Sequence, residues 1–419
     1  MGSGTAKCGG LRVLLRAPYP PPYGGIASHI VSLIPGLKAN GAEDIAVLYF
    51  GGRNEIQSIE GAKVYRCDLR VHTWRILLPQ NWPIGWEVMR AFRGARLGWR
   101  TLMVELTKTI VTNKVAMMHQ CNVASFYQSN GSLELLPLSR LWGQSRGIVL
   151  TVFGEVYDSA DFINPRLELF GRLLEAPAAV LASSEHCARS FKQLGIARQV
   201  RAVYYGVDLK RFEDDGTLRV RERAKLGVTE ADHLLLFLGR FEAEMGLDQL
   251  INMAPVLMTR APSVKLILAG AKGPLVESAL HLQRAYPDRV MVMNDVSFAL
   301  QPSLYAASDL VLAPSRDQRA CMGLAIKEAM AASRPVVGGD SGGIPEAIAH
   351  EETGLLVPLD EHGKVDQARF VEAVVSLLGD RQKRVEMGRK ARLRAEHLFS
   401  EETTVRRIAD VFIGVMPSA

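Results

Sequence analysis

Short apolar runs alternate with stretches of helical period from one end of this chain to the other. In the first half they begin at Leu11 (LRVLL), Ile45 (IAVLYF), Ala62 (AKVYRC), Val115 (VAMM), Ile148 (IVLTVF), Ala179 (AVLAS) and Ala202 (AVYY). In the second half they begin at Leu234 (LLLFLG), Val264 (VKLILAG), Arg289 (RVMVMN), Asp309 (DLVLAP), Pro335 (PVVGG) and Gly354 (GLLV). Runs that are continuous in Val, Ile and Leu, rather than alternating, predict strands covered on both faces. With helices between them, they make parallel sheets of an α/β fold. The rhythm breaks in the polar stretch from Asp208 to Gly227, which predicts domains at 1–207 and 208–399. A chain of 419 residues is expected to need two cores, because single cores stop growing at about 250–300 residues.

The densest stretch runs from Pro314 to Pro358. A strand (DLVLAP) leads through a polar loop into a helix entered at Gly323 (GLAIKEAMAA). A second strand (PVVGG) then meets a glycine turn that opens another helix at Ile344. This order gathers loops and helix starts at one edge of a parallel sheet, where α/β proteins bind ligands. Backbone N–H groups at a helix start carry partial positive charge and suit a phosphate. Glu328, more than a turn into its helix, could hold a pair of neighbouring hydroxyls, as on a ribose. A nucleotide carrying a sugar is the ligand this combination suggests.

Charge and cysteine usage narrow the class. A net charge of +6 favours acidic partners, namely nucleotide phosphates or phospholipid headgroups. Nucleic acid is not expected, since zinc-finger spacing, ribonucleoprotein aromatics and a basic tail are all missing. The five cysteines are odd in number and free of CxxC spacing, as in reduced thiols of a cytosolic protein. His29, His72, His119 and His186 lie far apart without i+3 or i+4 partners, so no metal is expected. No apolar run reaches the roughly 18–20 residues of a membrane span.

Several segments in order, PPYGGIASHI, SSEHCARSFKQLG, VYYGVDLKRF, FLGRFEAEMGLDQLI, LILAGAKGPL, the 314–358 block and FSEETTVRRIADVF, make the chain resemble the retaining glycosyltransferases of family 4. The resemblance spans nearly the whole chain and implies the GT-B architecture, two Rossmann-like domains facing across a cleft. The first would bind the acceptor, the second the nucleotide sugar, and a C-terminal helix over about 400–419 would pack back on the first. By the resemblance, Gly24 and Gly25 form a loop close to the donor, and Arg240 pairs with its diphosphate. Gly323 and Leu324 offer amides to phosphate, Glu328 holds the ribose, and Met293 to Val296 meet the base through backbone. Gly342, Gly343 and Glu346 belong to a shared turn, where Glu346 either caps the helix or touches substrate. The implied reaction is front-face transfer to a hydroxyl of a glycan or lipid-linked acceptor, with no cofactor and no metal.

Three departures stand against the pattern. The first of two glutamates eight residues apart falls on Ala320, so Asp317 or Gln318 on a lengthened loop would have to reach the donor sugar. The lysine expected before Gly246 is Met245; Lys272 is the proposed replacement, with Arg316 and Arg319 as others. Phe153 replaces the histidine of the TVHG pattern. Candidate groups at the reacting centre are therefore His119, at the end of the VAMM strand, Glu155, at the next strand end, and Asp317. These losses also fit a non-catalytic GT-B homologue that binds without transferring. For the acceptor, the informative stretch is Trp74 to Leu106. On a helix from Ile84, Arg90, Arg93, Arg96 and Arg100 share a face with Trp86 and Leu97. That face suits an anionic membrane surface on the cytoplasmic side, or else is a solvated face whose aromatics pack inward.

Overall fold

The computed structural model describes residues 9–20, 25–92, 98–127, 147–154, 163–193, 195, 199–214, 216–316, 318 and 322–417. The chain forms two compact units, one reaching to Tyr205 and rejoined by the segment from Glu401, the other running from Gly206 to Ser400.

Among the described residues, the first unit holds eight strands: β1 (Arg12–Arg16), β2 (Asp44–Phe50), β3 (Glu55–Ile59), β4 (Ala62–Cys67), β5 (Val123–Tyr127), β6 (Gly147–Val152), β7 (Ala179–Ala182) and β8 (Arg201–Ala202). Their order is β3-β4-β2-β1-β5-β6-β7-β8. Every pairing is parallel except β3 with β4, where Glu55 lies opposite Arg66. Helix α1 (Gly25–Ala39) buries Ile30, Leu33, Ile34 and Leu37, and the C-terminal helix (Glu401–Gly414) adds Val405, Ile408 and Phe412 to the same core.

The run VAMM, expected as a strand, is instead the last turn of helix α2 (Trp99–Met118). Val115 and Ala116 are buried while Met117 and Met118 are exposed. That split marks a helical stripe, since a strand would alternate. The true strand, β5, follows a few residues later. The helix expected from Ile84 through Arg100 is likewise two pieces. One spans Trp82–Phe92; the other begins at Trp99 after Gly98, whose extended backbone (φ −68, ψ 151) breaks the period. Arg93, Arg96 and Leu97 lie outside the described residues.

The second unit is one parallel sheet of β9 (His233–Leu238), β10 (Val264–Gly270), β11 (Val290–Asn294), β12 (Leu310–Ala313), β13 (Val336–Gly339) and β14 (Gly354–Val357). Its order is β11-β10-β9-β12-β13-β14. The chain thus starts in the middle, winds outward one way, then returns and winds the other. Leu235, Phe237, Leu266, Leu268, Leu310 and Leu312 project from these strands into a core shared with Phe370, Val374 and Leu377. Each such side chain, fully buried, contributes about 1.5–3 kcal/mol.

Candidate functional site

Winding direction reverses between β9 and β12. In open α/β sheets the ligand crevice lies beyond the carboxyl ends of the two strands at that point. Residues leaving β9 are Gly239 and Arg240; those leaving β12 are Pro314 and Ser315. The two loops are stitched together. The Ser315 hydroxyl donates to the Glu244 carbonyl at 3.1 Å, and the Arg316 N–H donates to the same oxygen at 3.2 Å. Gly246 sits at φ 74, where a Cβ would overlap the Pro314 carbonyl oxygen, so only glycine lets the loops meet. Arg240 is half exposed, with its guanidinium 2.6 Å from Glu242.

The helix after β12, α3 (Leu324–Ala331), starts at Gly323 (φ 73), which has no side chain to cap its first turn. The amides of that turn have no intrahelical partner. Glu328, on the same helix, is 3% exposed. The Tyr305 hydroxyl donates to its Oε2 at 2.9 Å, and Arg211 lies 3.8 Å from its Oε1. Burial raises its pKa to about 7, against the opposing pull of Tyr305, Arg211 and Lys327. Arg211 is itself held by the Phe298 carbonyl, by Gln301 at 3.2 Å, and by the Phe298 ring 3.2 Å below it. Sequence reasoning missed both partners. Tyr305 is one apolar residue of a helix (Gln301–Ala307), and Arg211 one of many charges in the polar junction.

Lys272, in the loop leaving β10, lies 3.0 Å from Asp295, which follows β11 at φ 56. That contact, chiefly a side-chain hydrogen bond, lowers the Asp295 pKa. Val296 comes next and is partly exposed. Met245 is partly buried and packs against the core. Arg316 is 3.4 Å from Asp248, so it is already engaged by an acid. Gln318 accepts from the Gly342 N–H at 3.4 Å, which ties the lengthened loop to the glycine turn. The backbone carbonyl of Glu346 accepts from Arg394 at 2.9 Å. Asp317, Arg319 and Ala320 lie outside the described residues.

In the first unit the winding reverses between β1 and β5. The connection from β1 enters α1 at Gly25; Gly24 and Glu155 fall outside the described residues. His29 of α1 stacks on Tyr205, with ring centroids 3.7 Å apart, and Phe153 meets the Tyr205 ring edge-on at 5.7 Å. His119 is elsewhere. Because residues 115–118 end a helix, it sits beside the starts of strands, not their ends. Its carbonyl accepts from Arg12, the first residue of β1, at 3.0 Å. Its Nδ1 bonds Asp44, the first residue of β2, at 2.8 Å, and its Nε2 bonds the Tyr65 hydroxyl at 2.8 Å. The expectation that His119 ends a strand at the ligand edge is corrected: both ring nitrogens tie helix to sheet at the opposite edge. Among the described residues, no three His, Cys, Asp or Glu side chains gather as metal ligands would.

Residues 219–394 match the family profile described as Glycosyl transferases group 1. A GDP-mannose-dependent alpha-(1-6)-phosphatidylinositol monomannoside mannosyltransferase of Mycobacterium tuberculosis is 28% identical over 382 residues, covering 86% of this chain and 95% of that one. A D-inositol 3-phosphate glycosyltransferase of Pseudarthrobacter chlorophenolicus is 31% identical over 283 residues, 62% of this chain and 63% of its own. Among solved structures, Anabaena Alr3699/HepE in complex with UDP-glucose superposes with a TM-score of 0.70 at 18% identity. That match covers 96% of this chain and 99% of that one, and the similarity is one of fold.

Proposed function

We propose that this chain, whose residues 219–394 match the profile of the group 1 glycosyl transferases and whose relative from Mycobacterium tuberculosis is named as GDP-mannose-dependent, moves a sugar from a nucleotide-sugar donor to a hydroxyl of a lipid-linked acceptor at an anionic membrane surface. One observation carries the acceptor class. Trp74, Trp82, Trp86 and Trp99 are exposed by 55, 57, 70 and 69%, beside exposed Leu77 and Met89. Four of the chain's five tryptophans thus stand in solvent on segments that pack against one another, among exposed Arg70, Arg90 and Arg100. Tryptophan and arginine together suit a headgroup layer, where an indole has one apolar and one wet side. The relative from Mycobacterium tuberculosis is named for a phosphatidylinositol-linked acceptor, which points the same way.

In this reading the donor diphosphate lies between Arg240 and the amides at Gly323 and Leu324, and Lys272 supplies a second cation by turning from Asp295. The ribose hydroxyls donate to Glu328, and the base lies along Met293 to Val296. Transfer is front-face. The bond from the sugar's anomeric carbon to the phosphate oxygen breaks, the acceptor hydroxyl bonds to that carbon on the same face, and its proton passes to a donor phosphate oxygen. The protein positions the partners and stabilises the leaving diphosphate, so no protein nucleophile is required. Asp317, Gln318 and Glu155 remain the candidates for sugar and acceptor contacts. The test is to rank UDP-, GDP-, ADP- and dTDP-sugars by thermal shift. The strongest binder, radiolabelled, is then offered a membrane lipid extract and, separately, inositol phosphate. Label in the organic phase is expected; label only on the water-soluble acceptor defeats the lipid reading.

A further inference from the structure

The outer edge of the first sheet carries a cavity lined by none of the residues assigned above to the donor. It lies between the β3–β4 pair and helix α2 and encloses about 430 Å³, within the range of small-molecule sites. Its lining is mostly apolar, yet Val111 and Val115 on one wall are buried while Ile56 and Met118 remain 68% and 59% exposed. Exposed apolar walls around a concave site mark a place where something binds. Its cations are unevenly committed. Arg66 is engaged by Glu55 at 3.7 Å and by the Pro20 carbonyl. Arg75 gives its Nε–H to His72 and lies over Trp74. Among the described residues, neither Arg75 nor Lys114 pairs with a carboxylate. Both lie near His72, whose pKa is lowered first by burial and then by these two charges. An anion between them would relieve that crowding of positive charge.

We propose that this cavity binds a single-chain anionic amphiphile, its hydrocarbon tail against Ile56, Val111, Val115 and Met118 and its phosphate or carboxylate head between Arg75 and Lys114. The inference stands apart from the donor site, so it survives or fails whatever the transfer assay shows. Its source is either a free amphiphile or a chain drawn from a bilayer.

Cys67, half-buried in the lining, reports occupancy without any activity assay. Its alkylation rate is measured by peptide mass spectrometry at alkaline pH, because burial pushes the thiol up. Buried Cys121 and Cys187 serve as references. Dodecyl phosphate at about ten times its Kd should slow Cys67 labelling about tenfold, while dodecyltrimethylammonium and inorganic phosphate should not. Protection by phosphatidylglycerol vesicles assigns the tail to the bilayer, and protection by monomeric dodecyl phosphate assigns it to a free amphiphile. Val115→Trp, which fills the slot, and Lys114→Glu, an exposed change that leaves the core alone, should each abolish protection. No protection by either source overturns the proposal. So does equal protection by the cationic detergent, or undiminished protection in folded Lys114→Glu protein.

Discussion

Glu328 shows how one residue can be costly to the fold and, in the proposed donor site, useful for binding. Its folded-state pKa of about 7 lies above the ordinary glutamate value near 4.3. A raised pKa means that the stability contributed by the protonated form is fully present below about pH 4 and is lost as pH rises through 7. The difference corresponds to about 3.5 kcal/mol. Glu328→Gln mimics the protonated acid, so the variant should melt higher than wild type at pH 8 and show a flatter dependence of Tm on pH between about 4 and 8. Its affinity for a nucleotide sugar should fall, because an ionised carboxylate accepts from the ribose hydroxyls more strongly than a neutral amide does. In wild type the same affinity should weaken as pH drops below about 7. Calorimetric titration of both proteins decides it; equal affinities across that range would remove Glu328 from the donor site. Lys272 makes the converse case, an exposed cation held, among the described residues, by Asp295 alone, where surface pairing is worth about 0–1 kcal/mol. Lys272→Ala should therefore leave Tm nearly unchanged while weakening donor binding about tenfold, a loss of about 1.4 kcal/mol. If affinity is unaltered, Lys272 does not replace the lysine missing at Met245.

Between residue and fold lie the loops that join strand ends, and here glycine decides. Gly246 and Gly363 share a left-handed backbone, φ 74 and 69, but a Cβ at Gly246 strikes the Pro314 carbonyl whereas one at Gly363 meets nothing within 4 Å. Gly363→Ala should cost about 1 kcal/mol from backbone strain alone. Gly246→Ala should cost more than about 2 kcal/mol and displace the loop carrying Arg240. Urea unfolding of both variants makes the comparison, and equal losses would mean the loops separate freely. The same scale explains what could be read beforehand. The six strands of the second unit were legible because each is an apolar run in a parallel sheet, largely buried in all but the edge strand β11. Two strands of the first unit were not. β3 (EIQSI) is an antiparallel edge strand with an exposed centre, so it carries no apolar signal. β5 was concealed by VAMM, which ends a helix with the same composition. His119 was misplaced for that reason alone. Glu328 was legible as a candidate from its place in the helix that follows a sheet-edge loop, and Arg240 only through the family resemblance. The Tyr305 and Arg211 partners of Glu328 come from other elements and meet it only through tertiary packing.

At the scale of the whole molecule, the exposed tryptophans have to be reconciled with a chain in which no described helix is long and apolar enough to cross a membrane. A surface that neither spans nor buries itself can still lie in the headgroup layer. There, indoles supply apolar area, and each basic residue near an anionic surface adds about 1 kcal/mol. Arg90 and Arg100 lie on different helices, yet both segments belong to the same packed region. Removing both charges as Arg90→Ala/Arg100→Ala should then weaken binding to phosphatidylglycerol vesicles by about 2 kcal/mol, roughly thirtyfold. Trp86→Ser/Trp99→Ser should weaken it at every salt concentration. The arginine contribution alone should fade as salt shortens the Debye length from about 10 Å at 0.1 M to about 3 Å at 1 M. Co-sedimentation across a salt series separates the two terms, and the Trp emission of wild type should shift to the blue on docking. Neither pair of substitutions touches the donor site, so thermal shifts with nucleotide sugars should match wild type, while transfer to a vesicle-borne acceptor falls with docking. Wild-type protein that ignores anionic vesicles at low salt would return these tryptophans to an ordinary protein surface and detach the lipid-linked acceptor from the fold.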